Sequence, residues 1–122
     1  MKRIFITGSS GFIGSNLMNK LIIEKSYSIL GVDIQSPKIK SHNNFMKKID
    51  VTDKVRLKKV MEDFDPHFII HLGARTDLNG KNLQEYSSNI KGVEVLLDVA
   101  KGLKNIEISW SNNENWFDFV SD

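Results

Sequence analysis

The stretch ITGSSGFIG, residues 6 to 14, decides the fold of this chain. It places Gly8, Gly11 and Gly14 at every third position, directly after an apolar run at residues 4–6. In a turn between a strand and a helix, the first glycine permits a tight bend, the second leaves room for a pyrophosphate, and the third lets the helix pack close to the strand. The N–H groups and dipole at the helix start then favour phosphate charge. The alternative is that the glycines only allow a tight turn.

Apolar strands and amphipathic helices alternate along the rest of the chain. Strands are predicted at residues 3–7, 28–34, 45–51, 67–72 and 106–110, and helices at 12–25, 54–64 and 83–101, the last ended by Gly102. Residues 35–44 are polar and contain Pro37, which predicts a loop. Because such an order favours parallel strands joined by right-handed crossovers, we expect a three-layer α/β/α sheet.

The composition excludes several classes of protein. The 122 residues have room for one domain, with a formal net charge of +2, dispersed lysines and no cysteine. We therefore expect no nucleic-acid partner, no disulfide and no thiolate metal site, and His42, His67 and His71 lack metal-ligand spacing. No apolar run approaches the roughly 20 residues that span a bilayer, and no signal peptide is evident. We expect no membrane association and a cytoplasmic location.

Asp33 stands at the end of the second predicted strand, about 20 residues beyond the glycines. A carboxylate there could accept hydrogen bonds from an adenosine ribose and repel a 2′-phosphate, which favours NAD over NADP. The alternative is an ordinary loop acid. Ser15 directly follows Gly14, so the G-K-[ST] ending of an ATP-binding phosphate loop is absent.

The segment TGSSGFIG, residues 7–14, resembles the TGxxGFIG fingerprint of the extended short-chain dehydrogenases/reductases, the NAD-dependent epimerase/dehydratase family. Its members act largely on nucleotide sugars. Three later segments fit the same family: the pair Asp50-Val51, the strand end at residues 71–74 (HLGA), and Asn89-x-x-Gly92. The resemblance covers residues 2 to about 108 and implies a Rossmann-like doubly wound parallel sheet, of which this chain would hold a truncated part.

The resemblance implies a set of NAD contacts along these motifs. The pyrophosphate contacts would be Gly8, Gly11, Phe12, Ile13 and Gly14. Asp33 would bind the ribose, and Asp50 and Val51 would flank the adenine. The path toward the nicotinamide would be lined by Leu72, Gly73, Ala74 and Arg75, with a further cofactor contact at Ser88. Asn89 could equally be a structural residue that ties its helix to the sheet.

The family's catalytic residues, a Ser or Thr followed by Tyr-x-x-x-Lys, have no match here. Tyr27 and Tyr86 are the two tyrosines, and Ile90 stands where the second would require lysine. We therefore assign no catalytic residue, and we expect a domain over residues 1–108 and a divergent tail over 109–122. The chain is expected to be inactive alone, the nucleotide sugar being the substrate of an intact relative.

Two alternatives stay open for the function: a non-catalytic NAD-binding or sensor module, and a non-functional gene product with an open sheet edge. The oligomeric state also stays open between a monomer and a homo-oligomer, because members of the family often dimerise through helices that this chain has only in part.

Overall fold

A computed structural model describes residues 1–72, 83–103 and 107–110, and of residues 83–90 and 108–110 it describes the backbone. The strands are β1 (Lys2–Thr7), β2 (Tyr27–Asp33), β3 (Met46–Lys48), β4 (Phe68–His71) and β5 (Glu107–Trp110). The α-helices are α1 (Phe12–Glu24), α2 (Lys54–Phe64) and α3 (Leu83–Lys101), and a 3₁₀ helix covers Lys40–Phe45.

The five strands form one parallel sheet in the order β3-β2-β1-β4-β5. The chain builds outward from β1 to β3, then returns to the other side of β1 to add β4 and β5. The strand order therefore reverses between β1 and β4, which leaves a crevice at the carboxyl ends of these strands, where ligands bind in sheets of this type. The predicted doubly wound parallel sheet is confirmed.

Helices cover both faces of the sheet, because its strands alternate between two cores. Phe5 of β1 packs into a core closed by α2 and α3, which includes Leu57 and Leu96. Ile4 and Ile6, its neighbours in the strand, enter a second core with side chains of α1. Successive strand residues point to opposite faces, so near-continuous apolar strands need cover on both sides. The three predicted layers are confirmed.

Two helices end at residues with a left-handed backbone. Lys25, with φ of 59°, donates its N–H to Leu21 O at 3.3 Å and ends α1. Asp65, with φ of 51°, donates its N–H to Met61 O at 2.8 Å and ends α2. At the other end of α2, Asp53 is the N-cap, and its side chain accepts the N–H of Arg56 at 3.3 Å. The predicted helix boundaries follow from these caps.

The loop predicted over residues 35–44 is wrong in part. The 3₁₀ helix over Lys40–Phe45 buries the ring of His42 in an otherwise polar run, so no apolar period could indicate it. Gly102 follows the last residue of α3 as predicted, but its N–H bonds Val99 O at 3.1 Å in a tight turn without a positive φ. The strand β5 includes Ser109 and Trp110, two residues beyond the predicted boundary of the domain.

Candidate functional site

The turn after β1 is bonded to the neighbouring strand β2. Gly8 has φ of 71°, a left-handed conformation that costs glycine little. Its N–H donates to Val32 O at 2.9 Å, and the N–H of Ser9 donates to the same oxygen at 3.3 Å. The N–H of Gly11 then closes the turn on Gly8 O at 3.1 Å. The chain is thereby bent from the end of β1 into the start of α1, as the glycine spacing predicts.

Gly14 is required by the packing of α1 against this turn. A Cβ at this position would clash with the carbonyl oxygen of Gly8 and lie 2.9 Å from Ser9 Cα. Both obstacles are backbone atoms, which cannot move without shifting the turn. The third glycine therefore lets the helix start against the strand end, as predicted.

Gly11 has no such steric requirement. Its backbone is extended, with φ of −72°. Among the described residues, a Cβ there would meet only Gly8 O, at the ordinary contact distance of 3.4 Å. The residue is exposed. Nothing in the described part of the chain therefore requires glycine at this position.

The first turn of α1 presents backbone donors beside Gly11. The N–H groups of Phe12, Ile13 and Gly14 donate to no atom of the residues that the structure describes, and the first bonded N–H is that of Ser15, to Gly11 O at 2.8 Å. The first turn holds no acidic residue, and Phe12 is 81 % exposed. The positive end of the helix dipole and its free donors suit an anion.

The carboxylate of Asp33 lies beside the same turn. Its Oδ2 accepts the N–H of Ser10 at 3.0 Å, and its Oδ1 accepts the N–H of Gln35 at 2.9 Å. Asp33 is half-buried at the carboxyl end of β2. Since a carboxylate has about four acceptor positions, each oxygen can take a further hydrogen bond. The predicted neighbourhood of Asp33 and the glycine turn is present in the structure.

Asp50 and Val51 follow β3 and differ in their surroundings. Asp50 is exposed, and its Oδ1 accepts both the N–H and the hydroxyl of Thr52, at 2.9 and 2.8 Å. Val51 is half-buried and packs against the core on the α2 and α3 side. A Cβ on Gly92 of α3 would lie 3.0 Å from Val51 Cγ2. The glycine of the Asn-x-x-Gly motif therefore lets α3 approach Val51.

The ends of β1 and β4 are joined by a buried polar contact. Thr7 Oγ1 lies 2.6 Å from His71 Nδ1, and the N–H of Leu72 reaches Thr7 O at 3.0 Å and Thr7 Oγ1 at 3.1 Å. His71 is 2 % exposed, and burial lowers its pKa to about 4. The ring is therefore neutral near pH 7. The contact holds Leu72 at the carboxyl edge of the sheet.

Four predicted site residues lie wholly or in part outside the described residues. Gly73, Ala74 and Arg75 lie outside the described residues. Ser88 lies on α3, but its side chain is outside the described part. The other nine predicted residues lie at or just beyond the carboxyl ends of β1, β2, β3 and β4. They are Gly8, Gly11, Phe12, Ile13, Gly14, Asp33, Asp50, Val51 and Leu72.

Two further residues of the site were not predicted. Gly31 in β2 has no room for a side chain, because a Cβ there would lie 2.6 Å from Ser9 Cβ. A glycine inside a strand indicates a close approach, so this signal was present in the sequence. Ser10 is 1 % exposed and bonds to Asp33 and to Gln35 O, a role that no sequence pattern indicates.

Residues 4–113 match the model of the NAD-dependent epimerase/dehydratase family. A dTDP-4-dehydrorhamnose reductase of Aggregatibacter actinomycetemcomitans is 28 % identical over 82 % of this chain and 31 % of its own length. The structure of a UDP-glucose 4-epimerase of Bifidobacterium longum, in complex with NAD+ and UDP, superposes with a TM-score of 0.79 at 23 % identity, over 90 % of this chain and 36 % of that one.

The structure of an L-threonine dehydrogenase of Clostridium difficile gives a TM-score of 0.77 at 28 % identity, over 90 % of this chain and 36 % of that one. The chain thus spans about a third of the length of these relatives. None of the helices in the described part of the chain is long and apolar enough to cross a membrane.

Proposed function

The chain belongs to the NAD-dependent epimerase/dehydratase family, and from that premise we propose that it binds NAD at the carboxyl edge of β1, β2 and β4. The pyrophosphate would lie on the N–H groups of Phe12, Ile13 and Gly14, beside Gly11. Asp33 would accept hydroxyls of the adenosine ribose, with Asp50 and Val51 next to the adenine. The path toward the nicotinamide would be lined by Leu72, Gly73, Ala74 and Arg75. Ser88 would make a further contact with the cofactor.

One observation carries this proposal. Packing among the described residues does not require glycine at position 11, since a Cβ there would meet only one of their backbone atoms, at 3.4 Å. Its missing side chain is explained by a ligand that must approach the backbone there. The free N–H groups next to it indicate that this ligand is an anion.

The carboxylate of Asp33 favours the binding of NAD over that of NADP. Its carboxylate is fixed by two backbone N–H groups at 3.0 and 2.9 Å, so it cannot readily turn away from a ligand. A phosphate on the 2′-oxygen would bring negative charge against this carboxylate, whereas the 2′-hydroxyl of NAD can donate to it.

In a full-length protein of this family, NAD would take and return a hydride on a substrate, and we propose that this substrate is a nucleotide sugar. The similarity to a dTDP-4-dehydrorhamnose reductase and to a UDP-glucose 4-epimerase supports this class. The 122 residues contain no Tyr-x-x-x-Lys, so we propose that they hold NAD without transferring hydride by themselves.

The test is a titration of the 122-residue protein with NAD and with NADP, followed by tryptophan fluorescence and by calorimetry. We expect saturable binding of NAD and at least about tenfold weaker binding of NADP, the factor that corresponds to about 1.4 kcal/mol. Asp33→Ala should weaken the binding of NAD and reduce the difference in affinity between NAD and NADP. A cooperatively folded protein that does not bind NAD would contradict the proposal. Hydride transfer between NAD and a nucleotide sugar, catalysed by the 122-residue protein, would contradict the proposed lack of hydride transfer.

A further inference from the structure

Ser10 joins the turn after β1 to the end of β2 through two hydrogen bonds. Its N–H donates to Asp33 Oδ2 at 3.0 Å, and its hydroxyl donates to Gln35 O at 3.0 Å. The N–H of Gln35 donates in turn to Asp33 Oδ1 at 2.9 Å. These three bonds form a closed ring through Ser10, Asp33 and Gln35, which we call the serine bridge.

From this ring we infer that Ser10 is a positioning residue, which sets the Asp33 carboxylate for the ribose of the bound dinucleotide. The inference rests on the proposed binding of NAD. Ser10 is 1 % exposed, so its side chain is covered by protein and does not touch the ligand directly. Its effect must pass through Asp33 and Gln35.

The chemistry of the ring explains how this effect arises. Each oxygen of the Asp33 carboxylate is held by one backbone N–H, so the plane of the carboxylate is fixed before a ligand arrives. One of these donors belongs to Gln35, an exposed residue. The Ser10 hydroxyl holds the carbonyl of Gln35, and without it that segment is free to move the donor away. A carboxylate that is no longer fixed loses freedom on binding, which weakens its bond to a hydroxyl.

The neighbouring Ser9 provides a matched control. It is also fully buried in the same turn, but its Oγ has no hydrogen-bond partner among the described residues. Ser9→Ala and Ser10→Ala therefore remove the same atom from adjacent buried positions. Only the second change removes a bond of the serine bridge.

The experiment measures the affinity for NAD of the 122-residue protein and of Ser9→Ala, Ser10→Ala, Asp33→Ala and the double variant Ser10→Ala/Asp33→Ala. Ser10→Ala should weaken NAD about three- to tenfold, the effect of one hydrogen bond. Ser9→Ala should stay within about twofold of the unchanged protein, the scatter of an unbonded site. In the Asp33→Ala background, Ser10→Ala should change the affinity less than about twofold, because a residue that acts through Asp33 is not additive with it.

Two results would overturn the inference alone. One is a Ser10→Ala protein that binds NAD as tightly as Ser9→Ala does. The other is an equal loss of NAD affinity from Ser10→Ala in the unchanged protein and in the Asp33→Ala background, which would indicate a merely structural role. In both cases NAD binding and its loss in Asp33→Ala would persist, so the proposed function would stand. If the unchanged protein does not bind NAD, both proposals fail.

If Ser10→Ala does not fold, Gln35→Pro tests the serine bridge from its exposed side. Proline removes the N–H that donates to Asp33 Oδ1 and leaves the buried serines intact. We expect Gln35→Pro to lower the affinity for NAD about three- to tenfold, the effect of one hydrogen bond. In the Asp33→Ala background it should change the affinity less than about twofold. An unchanged affinity in Gln35→Pro would overturn the inference.

Discussion

At the scale of single residues, the three glycines of the turn have three separate reasons. Gly8 has a left-handed backbone, and Gly14 lies where a Cβ would clash with the backbone of Gly8. Gly11 has an ordinary backbone and open space around it. The first and third glycines therefore serve the fold, whereas the second has no such role among the described residues and is the one that we propose to leave room for the pyrophosphate.

This difference predicts opposite outcomes for two alanine substitutions. Gly14→Ala should lower the free energy of unfolding by about 2 kcal/mol or more, because overpacking against backbone cannot relax. Gly11→Ala should leave it within about 0.5 kcal/mol, the usual range for a surface change, yet weaken NAD at least tenfold, a loss of approximately 1.4 kcal/mol. Urea denaturation and a NAD titration of both variants measure the two quantities.

Gly11→Ala is also the stability control for Gly14→Ala, because both variants add one methyl group to the same turn. A Gly11→Ala protein that binds NAD normally would show that the second glycine is not reserved for a ligand. A Gly14→Ala protein of unchanged stability would show that the start of α1 can move away from the turn.

The site was predictable residue by residue only where spacing carries the information. The glycines and Asp33 lie at fixed offsets from the strand ends, and the structure brings them together as expected. Ser10 and Gly31 were missed, because their roles depend on contacts between the turn and the end of β2. The contacting pairs, Ser9–Gly31 and Ser10–Asp33, are 22 and 23 residues apart in sequence. Such contacts exist only once the two strands are paired.

At the scale of secondary-structure elements, the backbone is strained where α1 and α2 end. Lys25 and Asp65 both have a positive φ, which costs a residue with a Cβ about 1 kcal/mol or more. Asp65 is partly compensated, because Arg3 Nη2 lies 3.1 Å from its Oδ2 and Arg3 Nε donates to its carbonyl oxygen. Lys25 has no such side-chain contact among the described residues.

Lys25→Gly should therefore stabilise the protein by about 1 kcal/mol, because glycine is the preferred residue at a left-handed helix end. Urea denaturation measures the gain as a higher midpoint with an unchanged slope. Asp65→Gly is the matched comparison and should gain less, since it also removes the contact with Arg3. A midpoint for Lys25→Gly at or below that of the unchanged protein would be inconsistent with strain at this cap.

The long elements could be predicted because their periods are clear. Leu57 and Met61 of α2 repeat on one buried face, and the strands β1 and β4 are near-continuous apolar runs. The 3₁₀ helix was not predictable, since it buries a single histidine, His42, in a polar segment. Short elements of this kind are fixed by tertiary packing and leave no period in the sequence.

At the scale of the whole molecule, burial of histidine makes the stability depend on pH. Burial lowers the pKa of His71 to about 4, and it also lowers the pKa values of His42 and His67. In the unfolded chain each imidazole titrates near 6.5. Between these values the unfolded chain binds more protons than the folded one, so the stability rises with pH.

The contribution of His71 should be fully present above pH 6.5 and lost progressively as the pH falls to about 4. It amounts to about 3 kcal/mol at most, an order-of-magnitude figure at about 1.4 kcal/mol per pKa unit. The free energy of unfolding, measured in urea at several pH values across this window, tests it.

His71→Asn is the control, because asparagine does not titrate but can still bond to Thr7. Its stability should fall less steeply between pH 6.5 and pH 4 than that of the unchanged protein. Equal slopes in the two proteins would show that His71 is not the group whose protonation opposes folding.

The strand order was within reach of the sequence, because alternating strands and helices with right-handed crossovers leave few arrangements. The position of the ligand crevice follows from that order, at the reversal between β1 and β4. The substrate does not follow from it, because one such sheet serves many chemistries, and this chain is similar both to a UDP-glucose 4-epimerase and to an L-threonine dehydrogenase.

In the proposed complex, the N–H groups at the start of α1 hold the pyrophosphate of NAD. A ¹H–¹⁵N NMR titration of the 122-residue protein tests it at those atoms. We expect the amide signals of Phe12, Ile13 and Gly14 to shift saturably with NAD, and the same shifts to require at least about tenfold more NAD in Gly11→Ala. A folded protein in which NAD leaves these three amides unchanged would contradict the account.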